Sequence, residues 1–376
     1  MTNLDPERQK KAKELARINH RLFWLDMAIG LATMLVLLLT DLSLNLRESL
    51  DFNRWLQVPA YASIVFGGLA LLTFPLTLYS GYILPKRFGL STQSLKLWLW
   101  DGIKGGLLGA VIGLPILLLV YYFLQNFPDT WWLLAWSAIV VVSVIMAIIL
   151  PVFLIRVFFK LKPLNDQELK NRLSSLADRT GAKVKGVFTI DYSSKGTGAN
   201  AFVAGLGGTR RIVLTDTMIQ QYTPQEIEVV LAHELGHHVH WDVPKGIVIV
   251  SLLTLVELYL AHIFLGWIIP KTSFTGIDDV AALPLLAIVF GTVAFLARPA
   301  LNWNSRRIEA EADRFSIAVT RDLLSFESAM VRLTDQNLSD AEPSAWEKAL
   351  FYSHPPFPER VRLARATMSK LSSASI

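Results

Sequence analysis

Residues 229–242 read "VVLAHELGHHVHWD" and place four histidines, His233, His237, His238 and His240, within eight positions of a chain that has only seven. In a helix His233 and His237 fall at i and i+4, one turn apart on one face, so both imidazoles can reach a single ion. Glu234 projects beside them, where it can take a proton from water activated by that ion, which is the chemistry of the H-E-x-x-H signature. The bare pattern also suits a surface helix with satisfied histidines. Uncharged neighbours and Gly236 in the turn between the two imidazoles favour a metal helix. His238 and His240 lie roughly 100° and 300° around such a helix from His237, so they cannot share its ion and read as bystanders. The chain has no cysteine, which excludes disulfides and thiolate sites and leaves any metal to His and carboxylates.

A catalytic zinc takes three protein ligands and keeps one position open. Downstream, "NSRRIEAEADRFS" sets Glu309 and Asp313 at i and i+4 on one helix face. Glu309 can complete a His-His-Glu set, and Asp313 can accept a hydrogen bond from a ligand imidazole and fix its tautomer. On spacing alone a solvated charged helix is an equal reading, because Arg306, Arg307 and Arg314 are close by; Glu311 points elsewhere.

These groups need elements to hold them. Thr223 opens "TPQEIEVVLAHELGHH" as N-cap, with Pro224 at the first helical position and Glu226 three beyond the cap, so the histidine helix has a marked start. Before it, "KPLNDQELKNRLSSLADRTG" predicts a helix capped by Asn165 with Glu168 and stopped at Gly181. "KVKGVFTIDYS", "NAFVAG" and "RRIVLTDTM" read as short strands, the last two joined by the glycine turn "LGGT".

The rest of the chain is membrane-like. Of 376 residues, 52% are hydrophobic and 18% charged, and the mean hydropathy is +0.41, too apolar for an ordinary soluble domain. Six runs, near 22–40, 58–84, 105–124, 131–155, 246–270 and 280–297, are long enough to cross a bilayer as helices. Asp26 lies in the first, and Glu257 and His262 lie in the fifth; such groups should face a partner or a watery interior. The net charge of +5 is spread between these runs, which suits membrane orientation and gives no nucleic-acid patch. With the N-terminus in the cytoplasm, Lys and Arg gather in the inside loops and both polar segments reach the cytoplasmic side. The organisation expected is a membrane region of four helices (1–155), a first polar half with the histidine helix (156–245), a helix pair (246–297) and a second polar half (298–376), the two halves combining into one domain. The N-terminus shows no signal-peptide pattern.

"HELGHH", "RRIEAEAD" and "SHPPFPERVRL", with "RFGLSTQSLKLWLWDGIKG", "LKPLNDQEL", "NAFVAG" and "RIVLTDTM", resemble the membrane-bound zinc endopeptidases that include the type I CAAX prenyl proteases and bacterial HtpX. The likeness runs from about residue 85 onward, and "FGLS" and "WDGIKG" resemble the prenyl-protease branch. It implies a mainly α membrane protein of about six helices with a cytoplasmic α+β, gluzincin-like peptidase unit and a small sheet. It also implies one zinc ion on His233, His237 and Glu309, Glu234 as general base, Asp313 bonded to a ligand imidazole, Asn200 near the substrate backbone, and His354 and Arg360 facing the reacting peptide. For His354 alone, a loop histidine that shapes a turn beside two prolines is the bland reading. The eukaryotic prenyl proteases have seven spans and a helical barrel around a water-filled chamber, against six spans counted here.

The expected partners are a peptide or protein substrate, lipidated or unfolded, and the bilayer of a bacterial inner membrane; nothing in the sequence bears on oligomeric state. Two other functions compete. A protease cutting inside the bilayer would need its zinc helix in an apolar span, whereas "QQYTPQE" and "HWDVPK" flank this one with polar residues. An inactive zinc scaffold or metal transporter would not need Glu234, since a structural site closes its fourth position.

Overall fold

The computed structural model of the chain describes residues 4–205 and 210–373. Among these, six helices are long and apolar enough to cross a membrane. The first is α1 (Pro6–Leu39), and a short α2 (Leu42–Ser49) follows it. The second span is α3 (Arg54–Leu78), carried through one π-helical turn (Tyr79–Ile83) into α4 (Leu84–Arg87). Then come α5 (Leu95–Asn126), α6 (Trp131–Phe158), α10 (Asp242–Ile268) and α11 (Leu283–Thr320). Tyr61, Tyr121, Leu124, Trp131, Leu258, Leu265 and Leu283 form the core between the spans. At one end of this bundle α2 is tied down by polar contacts. Ser43 bonds Tyr61 and the Ala281 carbonyl, and Arg47 pairs with the buried Asp279 at 2.5 Å.

Asp26, Glu257 and His262 do not pair with one another among the described residues. The ring of His262 packs against Trp131 and Trp132, with centroids 6.4 and 6.3 Å away. Glu257 is half-buried on α10, and Asp26 is exposed on α1.

The polar half of the chain gathers at the other end. Its sheet runs in the order β1 (Leu161–Pro163), β2 (Val187–Ile190), β4 (Arg211–Thr215), β3 (Ala201–Ala204). Strand β2 runs parallel to β4, and the outer two strands are antiparallel to their neighbours. Three of these are the strands expected from sequence. The strand β1 was not expected, because three residues ending in proline carry no alternation to read. The "LGGT" turn lies outside the described residues. Helix α7 (Gln167–Arg179) is capped by Asp166, whose side chain accepts from the Leu169 N–H. That corrects Asn165 as the cap by one position, and Gly181 follows at φ +71° as the stop.

Over this sheet lie α9 (Pro224–Val239), preceded by α8 (Asp216–Gln221), and the far half of α11, with α12 (Leu323–Gln336), α13 (Ala345–Phe351) and α14 (Phe357–Ser373). Leu173, Leu176, Ile212, Leu214, Leu231, Leu235 and Phe326 are buried between them. No break separates the last span from the second polar half: α11 runs unbroken for 38 residues from apolar sequence into "RRIEAEAD". The start of α1 docks here too. Asp5 N–H and the Arg8 guanidinium donate to Asp335, and Lys13 pairs with Glu342, so the start of α1 lies on the same side as these helices.

Thr223 makes the expected capping box with Glu226 at the start of α9. Removing a cap of this type costs about 1 kcal/mol. Thr223→Ala should therefore lower the thermal unfolding midpoint in detergent; an unchanged midpoint would mean that the other contacts of α9 set its start.

Candidate active site

Helices α9 and α11 cross at a point where two small residues meet. A Cβ on Gly236 would lie 3.2 Å from Cα of Ala312 and 3.2 Å from the Phe315 ring, and Ser316 Oγ donates to the Val229 carbonyl at 2.6 Å beside it. Gly236 stands between His233 and His237 on one helix, and Ala312 stands between Glu309 and Asp313 on the other. Close approach at this pair brings the four functional side chains together across the interface.

His233 Nε2 lies 3.1 Å from Glu309 Oε2, and His237 Nε2 lies 3.6 Å from Glu309 Oε1. One ligand atom from each of the three lies within 4.8 Å of the others, the group among the described residues suited to hold a metal ion. The outer nitrogens are engaged as well. His233 Nδ1 lies 2.9 Å from Asp313 Oδ1, and His237 Nδ1 lies 3.0 Å from Asp242 Oδ2. Since a carboxylate only accepts, a proton belongs on each Nδ1, and both Nε2 atoms face the oxygens of Glu309. Glu309 Oε2 is buried and makes no hydrogen bond. Although burial opposes it, the Asp313 and Glu309 carboxylates lift the pKa of the His233 imidazole to about 9; this anionic pocket facing two Nε2 atoms can hold a divalent cation in place of that proton, so the donor set fits a metal.

Asp313 is 0% exposed, and two donors from Arg360 at 2.8 and 2.6 Å hold it. Arg360 arrives on the first turn of α14, and its guanidinium faces Asp313. His354 comes from the loop before α14; its ring is exposed, with Nε2 3.3 Å from Glu309 Oε1 and Nδ1 3.0 Å from Ser353 Oγ.

Glu234 makes no hydrogen bond to protein among the described residues. Burial pushes its carboxyl above the ordinary glutamate range, as suits a group that must take and return a proton near neutral pH. Together with His233, His354, Arg360 and Asn200 it lines a cavity of about 1260 Å³. Asn200 is exposed and sits one residue before β3, where its backbone bonds Thr215.

Two contacts were not anticipated from sequence. Asp242 holds His237 as Asp313 holds His233; it lies five residues past His237, after Trp241 turns the chain through φ +58°, and the opening stretch already contained it. His238 is no bystander, since its Nε2 lies 3.3 Å from the Val203 carbonyl and ties α9 to the edge strand. His240 packs edge-on against Phe315 at 5.5 Å.

Residues 163–368 match the profile of peptidase family M48, and residues 2–160 match that of the CAAX prenyl protease N-terminal region, described as having five membrane helices. Four helices long and apolar enough to span lie in that second range among the described residues. The chain is 31% identical to CAAX prenyl protease 1 of Saccharomyces cerevisiae, over 80% of this chain and 71% of the relative. It is 28% identical to the uncharacterized metalloprotease YhfN of Bacillus subtilis, over 96% and 88%. The crystal structure of S. mikatae Ste24p superposes with a TM-score of 0.84 at 26% identity, covering 96% of this chain and 89% of that one.

Asp242→Ala should free the His237 ring and weaken metal binding by about 10- to 100-fold, read by titration of metal-free protein. Gly236→Ala should weaken it too, by pushing α9 from α11. Unchanged affinity in both would remove these contacts from the site.

The chain belongs to peptidase family M48 and is a membrane metalloprotease.

Proposed function

We propose that the metal is a single zinc ion held by His233, His237 and Glu309, and that Glu234 is the general base of peptide-bond hydrolysis. The observation that carries this reading is the convergence of His233, His237 and Glu309, one ligand atom of each within 4.8 Å of the others and Glu309 Oε2 buried without a hydrogen bond, beside Glu234 on the cavity wall. Bound there, zinc supplies Lewis acidity and lowers the pKa of water from about 15.7 towards roughly 7. Glu234 takes a proton from the attacking water and passes it to the leaving amine. His354, with one face of its ring open, donates to the oxyanion as the carbonyl becomes tetrahedral. Arg360 acts there through Asp313, whose carboxylate it fixes, and so through His233. The edge strand β3 can pair with an extended peptide, and Asn200 at its start steadies the substrate backbone.

Peptides that carry a lipid or lie against the bilayer suit this cavity. Its apolar wall comes from membrane-spanning helices, through Phe23 of α1 and Leu154 and Phe158 of α6, and relatives of this chain bear the name CAAX prenyl protease. The distribution of Lys and Arg supports a site on the cytoplasmic face, and a bacterial inner membrane is the setting proposed for it. Digesting unfolded and lipidated peptides with and without chelator, with cut sites read by mass spectrometry, tests the substrate class. Chelator-insensitive cleavage would contradict the metal reading.

Glu234→Gln should keep its metal by elemental analysis and lose hydrolysis; a fully active variant would remove Glu234 from its role. His354→Ala should lower turnover by about 10²-fold, and unchanged turnover would leave it a structural residue.

A further inference from the structure

The turn that joins the metal helix α9 to the span α10 is built on an unexpected residue. Trp241 stands just past α9, where a helix that stops in a left-handed turn normally carries glycine. It adopts φ 58° and ψ 38°, a conformation that strains a bulky side chain. The next residue is Asp242, whose Oδ2 lies 3.0 Å from His237 Nδ1. Nothing in the protein offsets the strain through the indole. Trp241 is 70% exposed, and among the described residues its ring stacks on no other ring and its indole N–H donates to no acceptor.

The span that follows supplies the missing contact. Along α10, Val243, Val248, Val250, Leu252 and Val256 are exposed, so an apolar surface continues from Trp241 into the membrane. Trp267 lies twenty-one residues after Gly246, and Glu257 is the only formally charged residue between them. At about 1.5 Å per residue that stretch is about 31 Å long, which matches a hydrocarbon core of about 30 Å. At its far end Lys271 Nζ lies 3.7 Å from the Trp267 ring centroid, an aromatic and cationic pairing that suits the interface. At its near end Lys245 is exposed, and Trp241 lies about 7 Å beyond Gly246. The two tryptophans are then about 39 Å apart along the helix, close to the roughly 40–45 Å of a bilayer with its headgroups. An indole at that depth lies in the headgroup layer, where tryptophan is enriched.

We propose that Trp241 is an interfacial anchor: the headgroup layer of the bilayer holds its ring, fixes the left-handed turn, and so keeps Asp242 on the imidazole of His237. The membrane surface thereby becomes part of the metal site. The anchor rests on the metal reading above, since His237 matters here only as a ligand. A second copy of the chain would also cover an exposed indole, but the match between span length and bilayer favours lipid.

The wild type and two variants, each in bilayer discs of phosphatidylcholine, test the assignment. Trp241→Tyr keeps a ring with a polar tip suited to the interface. Trp241→Gly keeps the left-handed turn without strain but loses the anchor. Emission excited where only tryptophan absorbs, taken as wild type minus Trp241→Tyr, isolates this indole from the rest of the eleven. Lipid brominated near the ester end of its chains should quench it, and iodide in solution should not. Zinc affinity, read by competition with a chromophoric chelator, should be alike in wild type and Trp241→Tyr. In Trp241→Gly it should be about tenfold weaker, the lower end of what loss of an imidazole's partner costs. Wild-type affinity should also fall as longer acyl chains carry the headgroup layer past Trp241. Trp241→Gly should lack that dependence, which a purely structural turn would not show.

Quenching by iodide without quenching by lipid would overturn the anchor while leaving the metal site intact. So would zinc affinity in Trp241→Gly equal to that of the wild type at every chain length. An indole shielded from both quenchers, in discs that hold two chains, would assign it to a second copy and overturn the anchor too. Wild-type protein that binds zinc in no disc would contradict the metal reading, and the anchor with it.

Discussion

The close crossing of α9 and α11 at Gly236 and Ala312 governs the site, because each helix brings only half of it. His233, Glu234 and His237 come from one helix and Glu309 and Asp313 from the other, separated in sequence by a pair of membrane spans. Glycine at the crossing allows the backbones to approach until the imidazoles and the carboxylate share one small volume. A larger side chain there would widen the gap by tenths of an ångström, a large error on the scale of metal–ligand bonds.

Around that crossing the ligands are held from behind. Asp313 and Asp242 each take one imidazole, and Arg360 compensates the buried charge of Asp313. A buried carboxylate without such a partner would be costly, so Arg360 brings α14 into the site as firmly as the two helices themselves. Because α11 passes without interruption from apolar sequence into the site, Glu309 and Asp313 are held on a helix anchored in the membrane region.

Much of this was legible in the chain. The spacing of His233 and His237, the capping box at Thr223 and the i, i+4 pair of Glu309 and Asp313 are local patterns, and local patterns determine which face of a helix a side chain occupies. Six apolar runs read as spans because length and composition alone define them. The pieces that escaped depend on contacts between distant segments. Asp242 follows the metal helix closely, yet it reaches His237 only because Trp241 adopts a left-handed turn. His238 looked idle because its acceptor, the Val203 carbonyl, lies 35 residues away. Arg360, expected to face the peptide, lines the cavity and also holds Asp313, 47 residues earlier in the chain, a contact that no local pattern announces. The cap of α7 slipped by one position because Asn165 and Asp166 are both good caps and only backbone dihedrals choose between them.

The most direct measurement is an anomalous difference map from crystals of zinc-loaded protein, collected on both sides of the zinc absorption edge. The account predicts one peak, bonded by Nε2 of His233, Nε2 of His237 and the carboxylate of Glu309, with a coordination position open towards Glu234. A peak elsewhere, or a zinc-replete crystal with nothing between those three side chains, would contradict it.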